Sequence, residues 1–155
     1  MPRGELFGRL SRTHLDFATG SVRYEELCAL PVEFPIVAPS VQATRHTHVF
    51  MAAYGSRAAA GQGLHDRIVS FDVARGTLES LVLGSDLFPG EPIFVPREGV
   101  GDACGYLLTL VYDARSHTSH VAVLDAERLE DGPVAKVFFE HHVPFGFHGT
   151  WVADR

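Results

Sequence analysis

Arg67-Ile68-Val69-Ser70-Phe71-Asp72-Val73-Ala74-Arg75-Gly76-Thr77-Leu78-Glu79-Ser80-Leu81-Val82-Leu83 decides the fold class. Two runs rich in branched and aromatic residues flank a short Ala-Arg-Gly turn, which is how a β-hairpin reads. The aspartate closing the first run can cap the turn with its side chain. The same text recurs. Leu15-Asp16-Phe17-Ala18-Thr19-Gly20-Ser21-Val22 resembles Phe71 through Leu78, and Leu124-Asp125-Ala126-Glu127-Arg128-Leu129 is a looser third copy. Asp16, Asp72 and Asp125 are spaced by 56 and 53 residues. Tyr54-Gly55-Ser56-Arg57 and Tyr112-Asp113-Ala114-Arg115 repeat at 58. A four-stranded propeller blade with its loops takes roughly 40–50 residues. The chain is therefore expected to be all β and to hold about three blades, whereas a closed propeller takes about four to eight.

Further strands are expected over residues 46–54, 105–112, 120–124 and 134–139. Helix-like text is confined to Asp125-Ala126-Glu127-Arg128-Leu129, enough for a turn only. At 155 residues one domain is expected, and it could bury roughly 70% of its unfolded surface. Apolar residues make up 46% of the chain, with eleven phenylalanines against one tryptophan, so the interior should be aromatic and stiff. A net charge of −6 without a basic cluster argues against a nucleic-acid surface. No apolar run reaches the roughly 20 residues of a spanning helix, which leaves peripheral membrane contact open. Cys28 and Cys104 read as small core residues, and a cytoplasmic location is the expectation from such cysteine usage.

Chemistry is concentrated in three polar residues with apolar neighbours. They are Glu33 in Pro31-Val32-Glu33-Phe34-Pro35, Glu91 in Gly90-Glu91-Pro92-Ile93-Phe94-Val95-Pro96, and His148 in Pro144-Phe145-Gly146-Phe147-His148-Gly149-Thr150-Trp151. A glutamate in such a setting needs a donor or a positive partner. The ring N–H of a metal-bound histidine is one such partner, and a dry, stiff pocket would fix the imidazole. The pairs His46/His48 and His117/His120 read as solvated surface. His141 and His142 should point to opposite faces, so at most one of them could join His148. His14 and His65 stand in polar text with no case as ligands.

These three segments, in this order, resemble the carotenoid cleavage oxygenases, the family that includes retinal-pigment-epithelium and lignostilbene-cleaving relatives. Gly105-Tyr106-Leu107-Leu108 and Val121-Ala122-Val123-Leu124-Asp125-Ala126 extend the likeness over roughly residues 7 to 152, so residues 1–155 read as one partial domain. The resemblance implies a seven-bladed propeller around a non-haem Fe(II) held by four histidines, with glutamates orienting their rings. It implies oxidative cleavage of a conjugated C=C bond, with O2, in an apolar polyene or stilbene-like substrate. By position His148 corresponds to the last iron ligand, and Glu33 and Glu91 to two of the orienting carboxylates. Phe94, Phe145, Phe147 and Trp151 are candidate substrate walls, with core packing as their alternative role. The other three ligands of the family lie N-terminal to the matched part. One of four ligands is thus expected here, and no activity from the chain alone, since first-row affinity needs several ligands in a set geometry. Two further readings stay open. One is a non-catalytic β module that self-associates through open blade edges. The other is a different metalloprotein built on His142, His148 and His46 or His48.

Overall fold

The computed structural model describes residues 7–55 and 63–153. Among the described residues nine strands run in chain order: β1 (Arg9–Asp16), β2 (Ser21–Ile36), β3 (His48–Ala53), β4 (Arg67–Asp72), β5 (Thr77–Val82), β6 (Leu87–Pro96), β7 (Gly105–Asp113), β8 (Thr118–Asp125) and β9 (Pro133–Phe138). They form two antiparallel meanders, β1-β2-β3-β4-β5 and β6-β7-β8-β9. The all-β expectation holds, and among the described residues the sheets do not close into a barrel or propeller. The two sheets described, of five and four strands, fit an incomplete propeller. The helix-like text at 125–129 is a turn leading into a single 3-10 turn, Leu129–Asp131. Among the described residues no helix is long and apolar enough to cross a membrane.

The repeated aspartates act as turn caps. Asp16 Oδ1 accepts the N–H of Ala18 (2.9 Å) and Thr19 (3.2 Å), and Asp72 Oδ1 those of Ala74 (2.8 Å) and Arg75 (2.9 Å). Asp113 repeats the pattern with Arg115 (2.8 Å) and Ser116 (3.4 Å). Gly20 and Gly76 close the first two turns at φ 69° and 68°, where glycine carries no steric penalty. His117 takes that place in the third turn, at φ 55°. Asp125 caps a longer connection through Glu127 N–H at 3.0 Å. Of the repeat at Tyr54 and Tyr112, Ser56 and Arg57 lie outside the described residues.

The two sheets pack face to face. Phe50, Ala52 and Ile68 of the first meet Phe94, Leu107, Val111, Ala122 and Leu124 of the second. The Phe50 and Phe94 rings stack at 5.7 Å. Phe94 is therefore a core residue, and it also lines a cleft with Glu91 and Trp151. Fully buried side chains such as Phe50, Ile68, Leu107 and Leu124 each contribute about 1.5–3 kcal/mol. A second cluster, with Val32, Val49, Met51, Ala53, Val69 and Phe71, lies on the other face of the first sheet. Burial on both faces makes β3 and β4 read as continuous apolar runs. Cys28 and Cys104 are buried and free.

Strand β2, beyond the start that the repeat at Ser21-Val22 gave it, and strand β6 were not among the strands expected from sequence. Pro31 and Pro35 interrupt one, and Pro89, Pro92 and Pro96 the other. A proline removes a ladder donor and is tolerated at a sheet edge or bulge. Both conditions are met. Strand β6 is an edge strand, and the last part of β2 pairs with β3 alone. The register slips between Glu33 and Ile36 in β2 and between Pro89 and Pro92 in β6. The two glutamates occupy matching places at these irregularities, 58 residues apart (33 to 91).

Candidate functional site

Glu91, on β6, has a side chain only 14% exposed. Its Oε1 lies 3.1 Å from Nδ1 of His148, and its Oε2 accepts the Gly149 N–H at 2.8 Å. An ionised carboxylate only accepts, so Nδ1 carries a proton, and in the neutral ring Nε2 then keeps its lone pair. That is the tautomer a metal ligand needs. The backbone must come close for this. A Cβ on Gly149 would sit 2.7 Å from Cδ1 of Ile93. Residues 139–153 form no strand and are pinned at intervals. Ser119 exchanges backbone bonds with Phe139 and His141, and its Oγ accepts the Val143 N–H at 2.9 Å. The Phe145 ring meets Tyr112 edge-on at 5.6 Å.

Glu33, on β2, is in a different setting. Its side chain is 40% exposed, while that of the neighbouring His65 is 10% exposed. Nε2 of His65 is 3.3 Å from Oε2 of Glu33, close but out of line, so that buried nitrogen has no hydrogen-bond partner. The His65 ring packs on Tyr54 at 4.5 Å and meets Phe34 edge-on at 5.5 Å. Burial pushes the His65 pKa down, and the nearby Glu33 carboxylate and Pro89 carbonyl pull the other way without prevailing. Burial, with the charge and hydrogen bond of Glu33, pushes the Tyr54 phenol up to about 12.

Phe34 joins the two settings. Its ring is nearly perpendicular to that of His148, with centroids 5.8 Å apart, and it also touches His65. Its φ of 55° is an outlier for an aromatic residue and marks a strained site. Sequence reasoning missed both Phe34 and His65. The polar text around His65 concealed its burial, and only the bulge after Glu33 hinted at strain.

Several expectations need correction. The side chain of His148 is 78% exposed, so the dry pocket expected for it is absent from the described residues. Phe145, Phe147 and Trp151 are also exposed, although Phe145 and Phe147 line two adjoining clefts of about 150 and 210 Å3 that share Gly90. Trp151 lies with Ile36 and Pro96 at a third, of about 280 Å3. His46 precedes β3, so it does not share a strand face with His48. His48 donates through Nδ1 to Asp102 at 2.9 Å. Burial opposes ionisation of Asp102, but the donors of Thr47 and His48 outweigh it and hold the carboxyl well below its usual range. His120, expected at the surface, is buried beneath β9, which lowers its pKa with help from Lys136. His142 stacks on His117 at 4.5 Å instead of approaching His148. Among the described residues no group of three or more His, Cys, Asp or Glu side chains is arranged to hold a metal ion. That finding overturns the metalloprotein alternative built on His142, His148 and His46 or His48.

A family model described as retinal pigment epithelial membrane protein matches residues 2–153. The apocarotenoid-15,15'-oxygenase of Synechocystis sp. is 33% identical over 145 residues, which cover 93% of this chain and 29% of that protein. Carotenoid cleavage dioxygenase 7 of Oryza sativa subsp. japonica is 36% identical over 134 residues, covering 83% and 22%. The structure of a cobalt-substituted Synechocystis apocarotenoid oxygenase superposes with a TM-score of 0.87 at 31% identity, over 95% of this chain and 30% of that one. The chain thus spans under a third of the length of these relatives.

Proposed function

We infer that this chain, which belongs to the retinal pigment epithelial membrane protein family of carotenoid cleavage oxygenases, carries the C-terminal part of a non-haem Fe(II) dioxygenase site. The observation that carries this reading is the Glu91–His148 pair. One carboxylate oxygen takes the ring Nδ1–H, the other takes the Gly149 N–H, and Nε2 is left as a free ligand nitrogen. His148 is the iron ligand, and Glu91 is the carboxylate that sets its tautomer and raises its basicity. Glu33 is the second orienting carboxylate. Phe94, Phe145, Phe147 and Trp151 are the apolar wall candidates for a polyene or stilbene-like substrate, Phe94 from within the core.

One imidazole does not by itself fit a resident Fe(II), so no catalytic step is drawn through the metal. Bound in a complete site, Fe(II) would supply the activation of O2 toward a conjugated C=C bond. The described residues hold and orient one ring for that site. The chain alone is therefore expected to be inactive. Anaerobic Fe(II) loading followed by a polyene-cleavage assay tests this, and turnover by the purified 155-residue chain would refute it. The ligand assignment has its own test. Titration with Co(II) should broaden the His148 ring resonances, and His148→Ala should abolish the effect. Broadening centred on another histidine would remove the assignment.

The second reading, self-association through open sheet edges, draws on a separate observation. Leu78 and Val82 on β5, and Val134, Val137 and Phe138 on β9, are exposed on edge strands. Such edges tend to pair. Sedimentation showing a concentration-independent monomer would dismiss it.

A further inference from the structure

We propose that His117 is a positioning residue for the C-terminal segment that presents His148, seating that segment on β7 through His142 and Tyr112. The inference rests on the reading of His148 as the iron ligand.

The three aspartate turns provide the comparison. Each has a left-handed residue at the fourth place after its aspartate. Gly20 and Gly76 stand there in the first two turns, and a Cβ at either would meet nothing within 4 Å. Glycine is the unstrained choice for such a φ. The third turn has His117 instead, at φ 55°, a conformation that its Cβ opposes. Strain that persists where glycine would serve is maintained by what the side chain does. Nδ1 of His117 and the Tyr112 hydroxyl are hydrogen-bonded at 2.7 Å. The His142 ring stacks on His117 at 4.5 Å with an interplanar angle of 30°. Tyr112 in turn meets Phe145 edge-on at 5.6 Å. One imidazole thus reaches the segment twice, at His142 directly and at Phe145 through Tyr112.

The place of these contacts gives them their effect. Ser119 ties Phe139, His141 and Val143 to β8 at one end of the segment. Glu91 holds the Gly149 N–H at the other. The contact between Tyr112 and Phe145 falls between these ties. Tyr112, Phe145, Glu91 and His148 all line the same cleft of about 150 Å3. A shift of the segment along β7 would therefore change both that cleft and the direction in which Nε2 of His148 is offered.

The test uses the isotope-labelled, metal-free 155-residue chain and reads amide exchange by NMR. His117→Gly keeps the turn, because glycine suits its φ, and removes the ring. Exchange in β7 and β8 should stay as in wild type. Exchange at Val143 and Gly149 should accelerate about 3–10-fold, the range of one lost aromatic contact. The His148 ring nitrogen shifts should move from the Nδ1–H pattern toward a mixture of tautomers. His142→Ala should act in the same direction, and the double variant should be no worse than the stronger single one, since the two rings act through one contact. Unchanged Gly149 exchange and His148 shifts in His117→Gly would overturn the proposal, and so would additive effects of the two variants. If the β7–β8 hairpin itself loosens in His117→Gly, His142→Ala decides alone by the same Gly149 and His148 readouts, because it leaves the turn untouched. Because no metal is present, the seat can fail while the Co(II) result at His148 stands, and the reverse also holds.

Discussion

The Glu91–His148 and Glu33–His65 pairs are built from the same two residue types with opposite burial. In the first the carboxylate is 14% exposed and the ring 78%; in the second the ring is 10% exposed and the carboxylate 40%. The anchored member of each pair decides which group is offered outward. Glu91 is held by a backbone N–H and presents an imidazole. His65 is wedged among aromatic rings and sits behind a presented carboxylate. Phe34, strained and touching both histidines, is the seam between them. A site assembled from several chain segments needs both kinds of offering, a ligand in one place and an orienter in another.

The largest effect should come from removing the anchored carboxylate. Glu91→Ala strips the acceptor from both His148 and Gly149. Hydrogen exchange at Gly149 should accelerate about 10–100-fold, corresponding to roughly 1.5–3 kcal/mol for bonds to a charged group. Glu33→Ala should leave Gly149 protection unchanged. Equal effects from the two variants would erase the distinction between the pairs. Gly149→Ala should be milder, about 1–2 kcal/mol from the forced contact with Ile93. Ile93→Val in the same chain should recover part of that loss if the contact is the cause, and a thermal-melt double-mutant cycle measures it.

The pH dependence distinguishes the second pair. Burial holds the His65 pKa below its ordinary 6.5, and does the same to His120 with Lys136 assisting. The unfolded chain therefore takes up these protons first as pH falls. Their contribution to stability is complete above 6.5 and is lost as pH drops from there toward the folded values. Tm should fall between about pH 7 and 5, less in His65→Gln and more in Glu33→Gln, which removes a charge that favours protonation. A Tm that is flat across that range in wild type would contradict the burial argument. The smallest effect is spectroscopic. One of the four tyrosines should ionise near 12, and Glu33→Gln should lower that value. An ultraviolet titration in which Glu33→Gln matches wild type would remove the Tyr54 contact with Glu33.

Legibility in the sequence followed the range of the interactions. The turns at Asp16 and Asp72 were readable because each aspartate bonds amides two and three residues ahead, whereas the third copy was expected at Asp125 and the matching turn stands at Asp113. Most of β2 and all of β6 were not readable, because their prolines count against a strand until a sheet edge makes them harmless. Glu33, Glu91 and His148 were found through motif resemblance, whereas Phe34 and His65 had no such signal. His65 lies 32 residues beyond Glu33 and approaches it because β3 pairs with β2 on one side and with β4, which His65 leads into, on the other.

Residue order alone thus determined the all-β class, the recurring hairpins and the three polar residues in apolar text, since each depends on neighbours a few positions away. Which partner of each Glu–His pair is buried was decided by the packing of distant strands. Exposure is a property of that packing and leaves no mark on the local text.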